Sequence, residues 1–155
     1  MFVPLDNYDR KILELLQEDS GRTNVALAEA IGLAPATTLE RVRKLERNGV
    51  IRRYVALVNA EKVALGVMAL VDVQLASHES RGVDGFREAV AALPDVLECY
   101  HLSGETDYLL KVVAPSIEAY EVFLLEQLTK VPNIGRVHTS FVLSTVKHET
   151  KMPVR

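Results

Sequence analysis

Gly32 and Pro35 stand three residues apart in Ile31-Gly-Leu-Ala-Pro-Ala36, and they constrain this chain more than any other feature. A glycine accepts the left-handed backbone that ends a helix, and a proline is pre-shaped for the first turn of the next. Two helices must therefore meet across a tight turn. Upstream, Val25, Leu27, Ala28 and Ile31 predict a short apolar helix over Val25–Ile31, with Asn24 as its cap. Downstream, Pro35 opens a helix expected to run to about Asn48, where Gly49 stops it. Leu39, Val42 and Leu45 form its expected buried stripe, leaving Thr37, Arg41, Lys44 and Arg47 on the other side. An earlier helix is signalled by Asp6 as cap, with Asp9 completing an imperfect capping box. Ile12, Leu15 and Leu16 then recur at helical spacing to about Gln17. Beyond Gly49, Val50-Ile-Arg-Arg-Tyr-Val-Ala56 has strand character.

Two helices across a glycine turn, the second basic outside, form the helix-turn-helix pattern, and a following strand adds a wing. Charge supports that reading. Residues 1–62 hold ten Lys/Arg against nine Asp/Glu, whereas residues 63–155 hold eight against twelve, giving +1 and −4. Within Arg41–Arg53, six basic residues oppose Glu46 alone, a local +5 on a chain of net charge −3. A compact basic face on an acidic protein suits duplex DNA, although a solvated helix face gives the same run. A helix fits the major groove, its first residues reaching base edges while flanking cations meet phosphates. Base contacts are thus expected from Ala36, Thr37, Thr38 and Arg41. Phosphate contacts are expected from Arg43, Lys44 and Arg47, extended by Arg52 and Arg53 on the wing. Arg43 lies near the core edge, where a structural salt bridge is an equal alternative.

The remaining chain alternates between periods. Strands are expected at Val67–Ala76, Val96–Leu102, Asp107–Ala114 and Val137–Val146. Helices are expected from Val83 to Leu93 and after Ser116, the latter with Ile117, Tyr120, Leu124 and Leu128 on one face. The order βαββαβ is a ferredoxin-like, α+β arrangement, four antiparallel strands with both helices on one side. Domains are accordingly expected at 1–50 (helix-turn-helix), 51–66 (wing and linker strand) and 67–155. Val71, Val73, Leu75, Leu109, Val112 and Val113 make both sheet faces look apolar, so the uncovered one is expected to meet a second copy.

Taken together, the motifs Leu5-Asp-Asn-Tyr-Asp-Arg-Lys-Ile-Leu13, Thr23-Asn-Val-Ala-Leu-Ala-Glu-Ala-Ile-Gly-Leu33, Leu39-Glu-Arg-Val-Arg-Lys-Leu-Glu46 and Ser103-Gly-Glu-Thr-Asp-Tyr-Leu-Leu-Lys111 make the chain resemble the leucine-responsive (Lrp/AsnC, or feast-famine) family of prokaryotic regulators along nearly its whole length. The resemblance implies a sequence-specific transcription regulator: a homodimer, commonly assembling to an octamer, with amino-acid effectors in clefts between subunits. It implies that Gly104, Glu105, Thr106 and Asp107 line that cleft, with Tyr108 adjoining. Thr139, and more loosely Ser140, would contribute from a neighbouring chain. Two departures stand out: Ala34 replaces a capping Ser frequent in relatives, and Val137 replaces a Thr found in some. The chemistry of the turn is compatible, since glycine admits a close ligand and Asp107 offers a partner to a desolvated ammonium. Taken alone, the same residues also read as an ordinary hairpin turn in which Asp107 caps backbone amides.

Other functions find less support. His78, His101, His138 and His148 lack metal-ligand spacing, so no metal is expected. No phosphate-binding glycine loop or nucleophile elbow is present, so neither a cofactor nor a small ferredoxin-like enzyme is favoured. Cys99, the one cysteine, sits in an apolar run and reads as a buried free thiol. An architectural DNA-organising protein without effector control is the closer rival. Apolar runs such as Val67–Val71 and Tyr120–Leu125 fall far short of the roughly 18 residues of a membrane span. The first residues lack a secretion pattern, so a cytoplasmic, nucleoid-associated location is expected.

Overall fold

The computed structural model describes residues 3–154; Met1, Phe2 and Arg155 lie outside the described residues. The chain divides into two compact units, residues up to 57 together with those from 147 onward, and Val58–Val146.

The first unit holds α1 (Asn7–Glu18), α2 (Asn24–Ile31) and α3 (Pro35–Arg47). Asp6 caps α1 as the sequence suggests, accepting from Asp9 N (2.9 Å), while Asp9 accepts from Asp6 N in return (3.4 Å). At α2 the cap shifts by one residue. Thr23 accepts from Ala26 N, and Asn24, the expected cap, donates instead to Pro35 O at 2.7 Å, binding α2 to α3. Gly32 ends α2 in the left-handed region (φ 73°) and Pro35 opens α3. Ile12, Leu13, Ile31 and Leu45 form the core, with Val42, Leu33 and Val154 packed on it.

Two expectations fail here for physical reasons. Val50–Ala56 forms no strand, because a ladder needs a partner and this stretch has none within the described residues. Tyr54 instead fastens it to α3, donating to Glu46 (2.9 Å); burial and that carboxylate push the phenol up to about 12. Residues from 147 onward, read as part of the second domain, pack in the first unit. Gln17 brackets the Met152 backbone, accepting from its N (2.6 Å) and donating to its O (3.1 Å), and Lys151 pairs with Glu18 at 2.6 Å.

The second unit holds β1 (Val67–Leu75), α4 (Ser80–Ala91), β2 (Val96–His101), β3 (Tyr108–Ala114), α5 (Ile117–Glu126) and β4 (Ile134–Phe141). Helix α4 begins three residues before Val83, and β4 spans 134–141 rather than 137–146. The antiparallel sheet runs β2-β3-β1-β4. Ala69, Val71, Val73 and Leu75 of β1 and Tyr108, Leu110 and Val112 of β3 meet Phe86 and Val90 of α4 and Tyr120 and Phe123 of α5 in one core. Ser116 caps α5 as expected, but Ile117 is 58% exposed and Phe123 takes the buried place.

Strand alternation then corrects the reading of the open face. Val71, Val73, Leu75 and Val112 all belong to the helix side. What remains opposite is mixed: Met68, Leu70, Leu109 and Val113 stand among polar pairs such as Lys111–Glu98 (2.9 Å) and His138–Asp72 (3.7 Å). Cys99 is exposed on edge strand β2, not buried; its surroundings still push its thiol pKa up, against the pull of Arg87. Among the described residues, no helix is long and apolar enough to cross a membrane.

Candidate DNA-binding and effector sites

The orientation of α3 follows from what it buries. Thr38, Val42 and Leu45, spaced i, i+4, i+7, turn inward, so the opposite side presents Ala36, Thr37, Glu40, Arg43, Lys44 and Arg47. Two base-contact expectations are corrected by this. Thr38 is 0% exposed and donates its hydroxyl to Ala34 O (3.1 Å), so it cannot reach a base edge. Leu39, expected in the stripe, is 37% exposed in its place. Arg41 is drawn inward: its Nη1 lies 2.7 Å from both Asp6 and Asp9, and its guanidinium lies over the Tyr8 ring. The hydrogen bond to Asp6 chiefly, then that to Asp9, raises the Arg41 pKa. Arg41 ties α3 to the capped end of α1.

The other expected residues remain outward. Ala36 and Thr37 are exposed, as are Arg43, Lys44, Arg52 and Arg53, which have no ion pair among the described residues. Arg47 pairs with Glu40 at 2.7 Å, and this hydrogen bond holds the Glu40 carboxyl below its usual range. Sequence reasoning passed over Glu40. Its i, i+7 spacing to Arg47 was the available signal. Ala34 provides no side-chain cap, as its side chain requires.

In the second unit the Ser103–Asp107 turn joins β2 to β3. Gly104 has φ 150°, a conformation that side chains rarely adopt, and a Cβ there would meet nothing within 4 Å. Asp107 has a partner on each oxygen: Oδ2 accepts from Leu75 N and Oδ1 lies against His78 Nε2, both at 2.7 Å. The Leu75 hydrogen bond first, and His78 second, hold its pKa below the usual value. Glu105 O accepts from Gln74 (2.7 Å), and Thr106 donates to Asp72 (3.4 Å). Tyr108 is a correction. Only 3% exposed, its ring lies between Phe86 and His101 and its hydroxyl accepts from Arg87 (2.9 Å), so it supports the turn from within. Thr139 and Ser140 point to opposite faces of β4. The Thr139 hydroxyl meets Tyr120 at 2.5 Å on the helix side, and Ser140 is exposed on the open side. Within one chain neither joins the turn. No cluster of three His, Cys, Asp or Glu side chains able to hold a metal occurs among the described residues.

An exposed basic helix on a three-helix unit, joined to a sheet unit with a built polar turn, defines a regulator that couples DNA binding to ligand sensing. Residues 5–52 match the winged helix-turn-helix DNA-binding model and residues 68–152 the Lrp/AsnC ligand binding domain. The chain belongs to the Lrp/AsnC family, and it is a transcription regulator, not an enzyme. It is 36% identical to the transcriptional regulator AzlB of Bacillus subtilis over 154 residues, covering 99% of this chain and 98% of that one. It is likewise 36% identical to the leucine-responsive regulatory protein of Escherichia coli over 151 residues, covering 97% and 92%. A transcriptional regulator from Neisseria meningitidis, solved in complex with L-methionine, superposes with a TM-score of 0.92 at 38% identity, covering 97% of each chain. An AsnC family regulator from Agrobacterium tumefaciens gives 0.91 at 40% identity, covering 96% of this chain and 97% of that one.

Proposed function

We propose that this regulator binds specific duplex sites through α3 and alters its assembly or DNA affinity when the Ser103–Asp107 turn takes up an amino acid. Ala36 and Thr37 read bases, and Arg43, Lys44 and Arg47 meet phosphates, with Arg52 and Arg53 beside them. Gly104 and the neighbouring amides receive the effector's carboxylate, Glu105 and Thr106 line the turn, and Asp107 receives the ammonium group. Thr139 and Ser140 act from other subunits. The open sheet face pairs two copies, its mixed surface suiting a polar interface rather than a wholly apolar one. Further assembly to an octamer and a place on the nucleoid follow from the same reading.

The observation that carries this is the state of Asp107. Its carboxylate is held by Leu75 N and His78 with its pKa kept low, in the same short turn as Gly104, whose φ of 150° side chains rarely adopt. The N. meningitidis protein crystallised with L-methionine makes amino acids the first probes. A thermal-shift screen of the twenty amino acids identifies binders by the stabilisation they give. Calorimetry should then show Asp107→Asn losing about ten- to a hundredfold in affinity, the weight of one charged hydrogen bond. DNA affinity without effector should stay unchanged. Equal effector affinity in both proteins would return Asp107 to the role of a turn residue.

A further inference from the structure

The loop between β1 and α4 is fastened in a way that aims one side chain at the effector turn. Asn133, at positive φ (66°) before β4, holds the loop by three bonds. Its O accepts from Ala76 N (2.9 Å), its Oδ1 from Ser77 N (2.9 Å), and its Nδ2 donates to Ser77 O (2.7 Å). Gly82 admits this approach, since a Cβ there would lie 2.9 Å from Asn133 Nδ2. On the far side Ser77 Oγ accepts from Glu79 N (3.2 Å), so His78 is bracketed by fixed backbone. The His78 side chain is 74% exposed and gains little from packing. Its one polar partner among the described residues is the Asp107 carboxylate.

We infer that His78 gates effector binding. Its imidazole occupies Asp107 Oδ1 in the free protein, and it must move aside before an ammonium group is accepted there. This rests on the amino-acid reading of the turn. Leu75 N takes a lone pair of Oδ2 and His78 Nε2 one of Oδ1, so a ligand ammonium that binds at Oδ1 competes with His78 for that oxygen. The contact is therefore a stand-in: a nitrogen donor within the chain fills the place of the ligand's nitrogen. The gate favours effectors whose remaining groups bind well enough to offset the lost contact, and so raises the concentration at which the regulator responds. His101, which also helps to hold the Asp107 pKa low, is left in place by each of the following substitutions.

The test titrates L-methionine and L-leucine, then the other amino acids, into the full-length protein and three variants by calorimetry. His78→Ala should bind the responding amino acid about two- to tenfold more tightly, the weight of one ordinary hydrogen bond. His78→Lys, which supplies a fixed ammonium beside Asp107, should bind it more weakly than wild type. Asp107→Asn should bind it about ten- to a hundredfold more weakly. Opposite shifts from two substitutions at one exposed position would not arise from a merely structural role. If His78→Ala binds equally or more weakly, or His78→Lys as tightly as His78→Ala, while Asp107→Asn remains impaired, the gate is wrong and the amino-acid reading stands. If Asp107→Asn binds like wild type, or no amino acid gives heat, both fall.

Discussion

The two sites treat charge in opposite ways. On the first unit Arg43, Lys44, Arg52 and Arg53 stay exposed, with no ion pair among the described residues. On the second, Asp107 has both oxygens engaged before any ligand arrives. A surface that meets DNA keeps its cations in water, because affinity comes from releasing the counterions of the phosphates. A turn that takes a small zwitterion out of water must present a charge already oriented, since an unpaired buried charge is costly. Solvated charge gives reach, and partnered charge gives discrimination.

The strongest break of that contrast removes the solvated cations. Arg43→Ala with Lys44→Ala should flatten the salt dependence of operator binding by about two units and lower low-salt affinity roughly tenfold or more, across specific and random DNA alike. Fluorescence anisotropy over a salt series measures it, and unchanged slopes would place the phosphate face elsewhere. A smaller effect separates Arg41 from its neighbours. Arg41→Ala leaves the nearly buried Asp9 carboxylate without its cation, and should lower stability by about 1–3 kcal/mol without altering sequence preference. Thermal unfolding and binding-site selection together read this out. If the preferred sequence changes instead, Arg41 leaves its carboxylates on DNA. Ala34→Ser should stabilise α3 by about 1 kcal/mol through the missing cap, seen as a raised Tm.

The smallest effect is acid dependence at Asp107. Its folded pKa is depressed, so its charge-linked stabilisation is fully present above the unfolded value of about 3.9 and is lost as pH falls through the lower folded one. The stability gap between wild type and Asp107→Asn should therefore close below about pH 4 in urea unfolding. A gap independent of pH would mean that the carboxylate's charge adds nothing.

What the sequence made legible was local. Asp6 with Asp9, Gly32, Pro35 and Ser116 declare their helix ends through bonds within a few residues, and the fold's order follows from such marks. Where a choice depended on a distant atom it went astray. Thr23 and Asn24 are both capping types, and Pro35 O decides which one caps. Thr38 and Leu39 each complete a helical stripe with Val42 and Leu45, and hydropathy favoured the wrong one because the Thr38 hydroxyl is satisfied inside by Ala34 O. In Val112-Val113-Ala114 every residue is apolar, so the facing of β3 is silent until the register with β1 is known. The family motif marked the turn Gly104–Asp107, but the His78 contact crosses 29 residues and leaves no trace in spacing.

Gln17 and Met152 are 135 positions apart, yet they close the same small unit. During synthesis the three helices emerge first, but the segment that covers them leaves the ribosome only after the whole sheet domain has been made. The sheet unit can thus complete itself before the helical unit does, reversing the usual N-terminal-first order. The helical unit is finished after the sheet unit. A chain stopped before Lys147 keeps every helix of that unit and lacks its final layer. Reduced protection of α1 amides from hydrogen exchange in such a chain would register the missing layer; protection equal to the full chain's would show that the helices stand complete without it.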